Sequence, residues 1–261
     1  MATRTPITAI RDEAAGGVVV FLTTVVLFLP ALCNDFVAFD DPTYILYPAR
    51  DGLLAWSTAN IVHWFRTPVV GVYLPLTMLS YMMDHSLWGL SPFGFHLTSL
   101  LLHALAGALL FGIARRLRFS RPAAVVCALL LMLHPMRVES VAWASERKDV
   151  LCFFFTTAGV YAFMTPRHRS AKAFWVSVPL FMCAMLSKPM AISTPFVLFL
   201  YAHYRGRTFL ARRRAALIAM AVLAALFVPV TIVCQRHFGG IAVDVPFRHA
   251  VPLAGYNALK Y

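Results

Sequence analysis

The chain has 261 residues, of which 60% are apolar and only 13% are charged, and its mean hydropathy is +0.73. Soluble domains hold about 45–50% apolar and about 25% charged residues, so this composition excludes a soluble globular enzyme, a disordered tail and a disulfide-rich secreted module. Lys and Arg outnumber Asp and Glu by 23 to 11, a net charge of +12. The sequence predicts an all-α, polytopic helical membrane protein, in which the positions of the positive charges set the orientation.

Seven apolar runs are predicted to cross the membrane, because a helical crossing needs about 20 predominantly apolar residues. The three long runs are residues 16–33, 95–114 and 215–234. The four shorter runs are residues 122–134, 150–164, 173–186 and 190–204. Clusters of Arg and Lys between the runs are expected to face the cytoplasm. That expectation pairs the shorter runs into two hairpins, gives about seven spans and puts the N-terminus inside.

A single transmembrane domain is predicted over residues 1–261. Its outer parts are a loop at residues 34–95 and two hairpin tips at residues 134–149 and 187–190. The loop mixes aromatic and apolar residues, which indicates helices lying in the membrane interface. No 34-residue tetratricopeptide repeat (TPR) is recognisable, so no TPR domain is predicted. An apolar run is still open at the last residue, so we expect a C-terminally truncated chain.

Two adjacent carboxylates, Asp40 and Asp41, follow the first predicted span by a few residues. Nine of the 11 acidic residues lie on the predicted outer side, which favours a working surface there. A partly desolvated carboxylate is a stronger base, so this pair could act as a general base or bind a metal ion. An Asp-Asp-Pro sequence is also typical of a turn or a helix N-cap, and both interpretations stay open.

The first outer hairpin tip is rich in charge, and the second carries Lys188. The charged or titratable residues of the first tip are His134, Arg137, Glu139, Glu146, Arg147, Lys148 and Asp149. Such a set could bind a phosphate and orient a base, or it could form mutual ion pairs of little energetic value. Lys188 could bind an anionic lipid headgroup, or its side chain could extend to water at the membrane edge.

Several blocks of sequence resemble the bacterial multispanning, TPR-associated O-mannosyltransferase-like proteins, which are similar to the animal transmembrane-and-TPR family. The blocks are residues 34–42, 73–77, 89–98, 101–103, 134–143, 146–151 and 187–190. They come in the order found in that family and cover roughly residues 34–204. One departure is Leu74, where members of the family often carry a basic residue or His.

The resemblance implies a GT-C-type glycosyltransferase in the inner, or cytoplasmic, membrane of a bacterium. Such an enzyme transfers a sugar from a polyprenyl-phosphate donor at the outer membrane face. Its partners would be membrane lipid, the donor and a protein or glycan acceptor, with protein O-mannosylation as one outcome and no nucleic acid. The resemblance puts the catalytic base at Asp40, with Asp41 beside it. The predicted donor-phosphate ligands are Arg137, Arg147, Lys148 and Lys188. The predicted supporting residues are Tyr73, His134, Glu139, Glu146 and Asp149.

No cofactor is predicted, and no metal site, although Asp40 and Asp41 could supply oxygen ligands to a divalent ion. Two other functions stay open on the sequence. A non-catalytic membrane scaffold or a truncated remnant would fit the early end of the chain. A transporter would need ionisable groups near the middle of the membrane, and His103 alone fits that requirement.

Overall fold

The computed structural model describes residues 6–165 and 173–237, which form helices and turns without a strand. The α-helices are α1 (Pro6–Phe28), α2 (Tyr47–Arg50), α3 (Thr58–Arg66), α4 (Pro75–Trp88), α5 (Pro92–Arg116), α6 (Arg121–Met132), α7 (Met136–Ala142), α8 (Arg147–Phe163), α9 (Ser177–Ser187), α10 (Thr194–Tyr204) and α11 (Arg207–His237). Four short 3₁₀ helices are Leu29–Cys33, Ala144–Glu146, Ala173–Val176 and Pro189–Ser193, and Pro42–Leu46 is a short π-helix. The prediction of an all-α helical membrane protein is confirmed.

Among the residues that the structure describes, three helical segments are long and apolar enough to cross a membrane, namely Ala14–Cys33, Pro92–Arg116 and Arg207–Arg236. They coincide with the three long runs of the sequence. Helices α6 and α7 pass the same test together, but they are bent by 66° at the break between them. All four shorter runs are largely helical as well, and the number of spans stays a prediction.

The break between α6 and α7 follows from Pro135, which has no N–H to donate and disfavours helical geometry in the residue before it. Helix α6 ends at Met132, so the last carbonyl groups of this helix lose their intrahelical donors. The Met132 carbonyl accepts a hydrogen bond from Nε2 of the buried His103 at 3.0 Å. His103 therefore joins α5 to the end of α6.

The predicted outer loop has a small apolar core of its own, which packs against the N-terminal end of α5. Tyr44, Trp64, Tyr81 and Phe95 are buried together there. Helix α3 begins with a side-chain cap, since the hydroxyl of Ser57 accepts the Asn60 N–H at 3.1 Å. The loop is thus a folded unit. Its first residues, at Asp40, and its helix α4 both contact the N-terminal end of α8.

Helix α8 packs against α5 and α9 and is fixed at its C-terminal end by a buried arginine from α11. Arg213 donates from Nε to the Phe163 carbonyl at 2.9 Å and from Nη2 to the Thr165 carbonyl at 2.7 Å. Cationic donors suit this position because the last carbonyls of a helix have no intrahelical partner and carry partial negative charge. Arg213 therefore anchors the C-terminal end of α8, the end far from the outer loop.

Candidate functional site

Charged side chains from three separate segments meet at the N-terminal end of α8. We call this set the charged cluster, and it consists of Asp40, Glu146, Lys148, Asp149 and Lys188. The Lys148 ammonium lies 2.7 Å from Oε1 of Glu146 and 3.7 Å from Oδ2 of Asp40. Lys188 Nζ lies 3.9 Å from Oε2 of Glu146 and donates a hydrogen bond to Asp149. Five of the predicted site residues are thus in one place.

The local sequence explains why these segments turn at the cluster. Pro189 disfavours helical geometry at Lys188, which is extended (φ −159°, ψ 130°) and ends α9. Trp143 is also extended (φ −112°, ψ 120°) and separates α7 from the short turn before α8. Both breaks fall at the same end of the helices, so the start of α8 and the end of α9 present their lysines side by side.

The adjacent residues Asp40 and Asp41 have different surroundings. Asp41 is fully buried, and its two oxygens accept backbone N–H groups from Val37 at 2.7 Å and Ser145 at 2.8 Å. Asp40 keeps 34% of its side chain exposed and faces Lys148. Asp41 therefore ties the outer loop to the turn before α8, and the carboxylate open to a ligand is that of Asp40.

Burial controls the protonation of two groups in and beside the cluster. It is the main cause that raises the pKa of Glu146, to which nearby Asp149 adds, while Lys148 opposes the shift. Burial, together with the negative charges of Asp40 and Glu146, raises the pKa of the Tyr44 hydroxyl to about 12. Tyr44 is therefore neutral near pH 7, and its ring centroid lies 4.7 Å from the Lys148 ammonium, within cation–π range.

Arg147 is predicted as a phosphate ligand, but in the structure its side chain faces α4 and α5. It is fully buried, pairs with the equally buried Asp84 of α4, and donates from Nε to the hydroxyl of Ser99 at 3.2 Å. Its guanidinium also donates to the Phe95 carbonyl. Arg147 is thus next to the charged cluster in sequence but is bonded away from it.

The other predicted residues lie outside the charged cluster. Arg137 sits 4.4 Å over the ring of Phe153. His134 is exposed and its Nδ1 accepts the Met136 N–H at 3.3 Å, while Glu139 is exposed on α7. The Tyr73 hydroxyl donates to the Phe65 carbonyl at 3.0 Å. The roles predicted for these four residues stay predictions.

Sequence reasoning missed three residues that support the cluster, namely Tyr44, Tyr81 and Asp84. The Tyr81 hydroxyl lies 3.0 Å from the Ala144 carbonyl oxygen and 3.2 Å from that of Ser145. A usable signal was present for Asp84, because an ionisable residue on a largely apolar helix calls for a charged partner. The sequence held no comparable signal for the two tyrosines.

An apolar cleft of about 380 Å³ lies between the end of α1 and the break between α6 and α7. Its lining residues are Leu27, Phe28, Pro30, Ala31, Asn34, Leu133, Val138 and Ala142. At its polar end the Asn34 amide donates to the Ala142 carbonyl at 3.1 Å. The ring centroids of Phe39 and Trp143 lie 5.9 Å apart, and these residues connect the cleft to Asp40 along the chain.

Across residues 6–165 and 173–237, no group of three or more His, Cys, Asp or Glu side chains is placed to hold a metal ion. The acids of the charged cluster are instead interleaved with two lysines. This arrangement offers a proton acceptor at Asp40 and two ammonium groups, Lys148 and Lys188, which can exchange their carboxylate partners for an anion.

Comparison with known proteins identifies mannosyltransferases as relatives of this chain. The family model described as dolichyl-phosphate-mannose-protein mannosyltransferase matches residues 67–233. Protein O-mannosyl-transferase Tmtc2 of Drosophila melanogaster is 30% identical over 216 residues, which is 77% of this chain and 23% of that protein. Tmtc1 of the same organism is 30% identical over 182 residues, 64% of this chain and 20% of that protein.

A further relative, Protein O-mannosyl-transferase TMTC4 of Homo sapiens, is 30% identical over 143 residues, 46% of this chain and 19% of that protein. The chain therefore spans about a fifth of the length of these relatives. No solved structure matches it significantly. Within the charged cluster, Asp40 lies before the range matched by the family model and the other four members lie inside it.

Proposed function

The chain belongs to the dolichyl-phosphate-mannose-protein mannosyltransferase family, and we propose that it transfers a mannosyl group from a polyprenyl-phosphate donor to a protein hydroxyl. We place this reaction in the charged cluster, at the outer face of the membrane. The outer location is supported by the Arg and Lys clusters of the sequence, which favour the cytoplasmic side for the opposite ends of the helices.

In the proposed step, a carboxylate oxygen of Asp40 takes the proton of the acceptor hydroxyl. The hydroxyl oxygen bonds to the anomeric carbon of the sugar while the bond from that carbon to the phosphate oxygen breaks. The leaving polyprenyl phosphate keeps the electron pair and gains negative charge. Such a group needs nearby cations and no proton donor, and Lys148 and Lys188 supply positive charge there.

The observation that carries this proposal is the placement of Asp40. Its carboxylate is 34% exposed and lies 3.7 Å from the Lys148 ammonium, in a cluster where a second lysine arrives from another segment. A base and two cations are the groups that the reaction requires. The apolar cleft supports a donor with a hydrocarbon chain, because two of its lining residues, Asn34 and Ala142, lie a few residues along the chain from Asp40 and Glu146.

The test is transfer of labelled mannose by the protein reconstituted in lipid vesicles, with polyprenyl-phosphate mannose as donor and a Ser/Thr peptide as acceptor. We expect Asp40→Asn to lower the rate by at least about 100-fold, since a general base contributes about 10² to 10⁴. Asp51→Asn is the matched control, because Asp51 is an exposed acid of the same loop that pairs with Arg50 at the surface.

Equal rates for wild type and Asp40→Asn would remove Asp40 from the mechanism. Absence of transfer by the wild type, across donors of several chain lengths, would contradict the proposed activity and favour a non-catalytic membrane scaffold.

A further inference from the structure

The ion pair between Arg147 and Asp84 is fully buried, and nothing in the proposed reaction uses it. Asp84 also accepts a hydrogen bond from the Thr98 hydroxyl at 2.7 Å, and the centroid of the Tyr81 ring lies 5.0 Å from the guanidinium. Taking two charges out of water costs several kcal/mol per ion, so a buried pair gives the fold little net stability. The pair therefore calls for a role beyond stability.

Arg147 is bound on several sides to α4 and α5, so its direction is fixed. Its Nε donates to Ser99 of α5 at 3.2 Å, and another nitrogen donates to the carbonyl of Phe95. The planar guanidinium offers donors in a rigid fork, and this fork is used here against two helices at once. The first turn of α8 therefore cannot rotate without breaking these contacts.

Lys148 is the next residue on the same helical turn. Consecutive residues on an α-helix point about 100° apart, so fixing Arg147 toward α4 and α5 also fixes the direction of Lys148. The Lys148 ammonium then reaches Glu146 at 2.7 Å and the Ser145 carbonyl at 3.2 Å, with Asp40 at 3.7 Å. Only 8% of its side chain is exposed.

We propose that the Asp84–Arg147 pair is a positioning device, which sets the rotation of the first turn of α8 so that Lys148 is held in the charged cluster facing Asp40. Its effect on sugar transfer rests on the function proposed above, but its effect on Lys148 does not. Arg147 in this proposal acts through its neighbour and does not touch the donor phosphate.

The test measures the reactivity of Lys148 toward a small amine-modifying reagent, in the full chain in lipid vesicles, with mass spectrometry at the modified residue. Asp84→Asn alone would leave a buried unpaired arginine, so the main variant is Asp84→Asn combined with Arg147→Gln, which removes both charges. We expect Lys148 to react about tenfold faster in this variant, since it loses the hydrogen bonds that hold it in the cluster.

Two controls separate positioning from general loosening of the fold. Lys188, which is bound to Asp149 and 21% exposed, should keep its wild-type reaction rate in the same sample. Arg213→Gln loosens α8 at its opposite end and should leave the Lys148 rate unchanged. A second variant, Arg147→Lys, keeps the charge opposite Asp84 but loses the fork, and should speed Lys148 by about threefold.

Unchanged Lys148 rates in both Arg147 variants, with melting curves that show them folded, would overturn the proposal. An equal acceleration in Arg213→Gln would overturn it as well. Where the wild type transfers mannose, we expect the double variant to lower kcat with little change in the donor KM, because Lys148 is displaced from the leaving phosphate. Where the wild type transfers none, the function proposed above fails and the labelling result still decides the role of the pair.

Discussion

The two ends of α8 both meet buried arginines, but they differ in whether a charged group there is exposed to solvent. At the C-terminal end, Arg213 donates hydrogen bonds to the Phe163 and Thr165 carbonyls, and its guanidinium lies 3.9 Å over the ring of Phe209. At the N-terminal end, Arg147 is similarly enclosed, but the charged cluster beside it leaves Asp40 34% exposed.

Charges that hold the structure together thus differ in their surroundings from charges that are open to a reaction. A buried ionic group with all its partners inside the protein can be removed only at a large energetic cost, and it has no free side for a substrate. A half-exposed carboxylate next to an ammonium can exchange its partners for those of a ligand. Substitutions at Arg213, Asp41 and Glu146 distinguish these two kinds of charge.

Arg213→Gln should lower stability the most and should leave the charged cluster intact. The variant loses the cationic donor to two carbonyls, so we expect a loss of about 3 kcal/mol in the free energy of unfolding. Denaturant unfolding in detergent micelles measures this, with the exposed neighbour Arg212→Gln as control. A similar loss in both variants would show that the Arg213 contacts do not anchor the helix.

Asp41→Asn should lower the free energy of unfolding by about 2 kcal/mol, which is less than the loss expected for Arg213→Gln. The amide NH₂ group of the new side chain replaces one of the two oxygens that accept backbone N–H groups. Asp40→Asn, by contrast, should change the free energy of unfolding by less than about 1 kcal/mol, as expected for a half-exposed ion pair. Unfolding measured in parallel on both variants checks the contrast. Equal losses would mean that the two carboxylates share the structural role.

Glu146→Gln should change the pH dependence of stability and have the smallest effect. Burial raises the pKa of Glu146 above its usual value of 4.5, so its protonated form is favoured in the folded state. Its contribution to stability is present below 4.5 and is lost as the pH rises through the raised pKa.

The stability advantage of wild type over Glu146→Gln should therefore shrink as the pH rises above 4.5. Thermal melts of both proteins at a series of pH values on either side of 4.5 measure this difference. An advantage that grows with pH would mean that pairing with Lys148 outweighs the effect of burial at Glu146.

The long apolar runs predicted the helices because their length and hydropathy are local properties. The break at Pro135 and the end of α9 before Pro189 also follow from local chemistry, since proline restricts the residue before it. The outer-loop core was less accessible to prediction, because Trp64, Tyr81 and Phe95 are brought together only by contacts between distant segments.

The candidate site was predictable in part: its charged residues were identified, but their individual roles were not. Asp40, Lys148 and Lys188 are identified by charge and by the resemblance, and the structure brings them together. The sequence assigned equal roles to Arg147 and Lys148, and it offered no means of telling which one turns into the protein.

Composition, hydropathy and local motifs specify the class of protein, the positions of its helices and the family to which it belongs. They do not specify which of two adjacent carboxylates is buried or which of two adjacent cations faces the cluster, since both depend on the packing of distant segments. The physical reason is that neighbouring residues point in different directions from the backbone, and burial depends on the helices that pack there. Asp41 meets the backbone of Ser145 across the fold, whereas Asp40 faces the ammonium of Lys148.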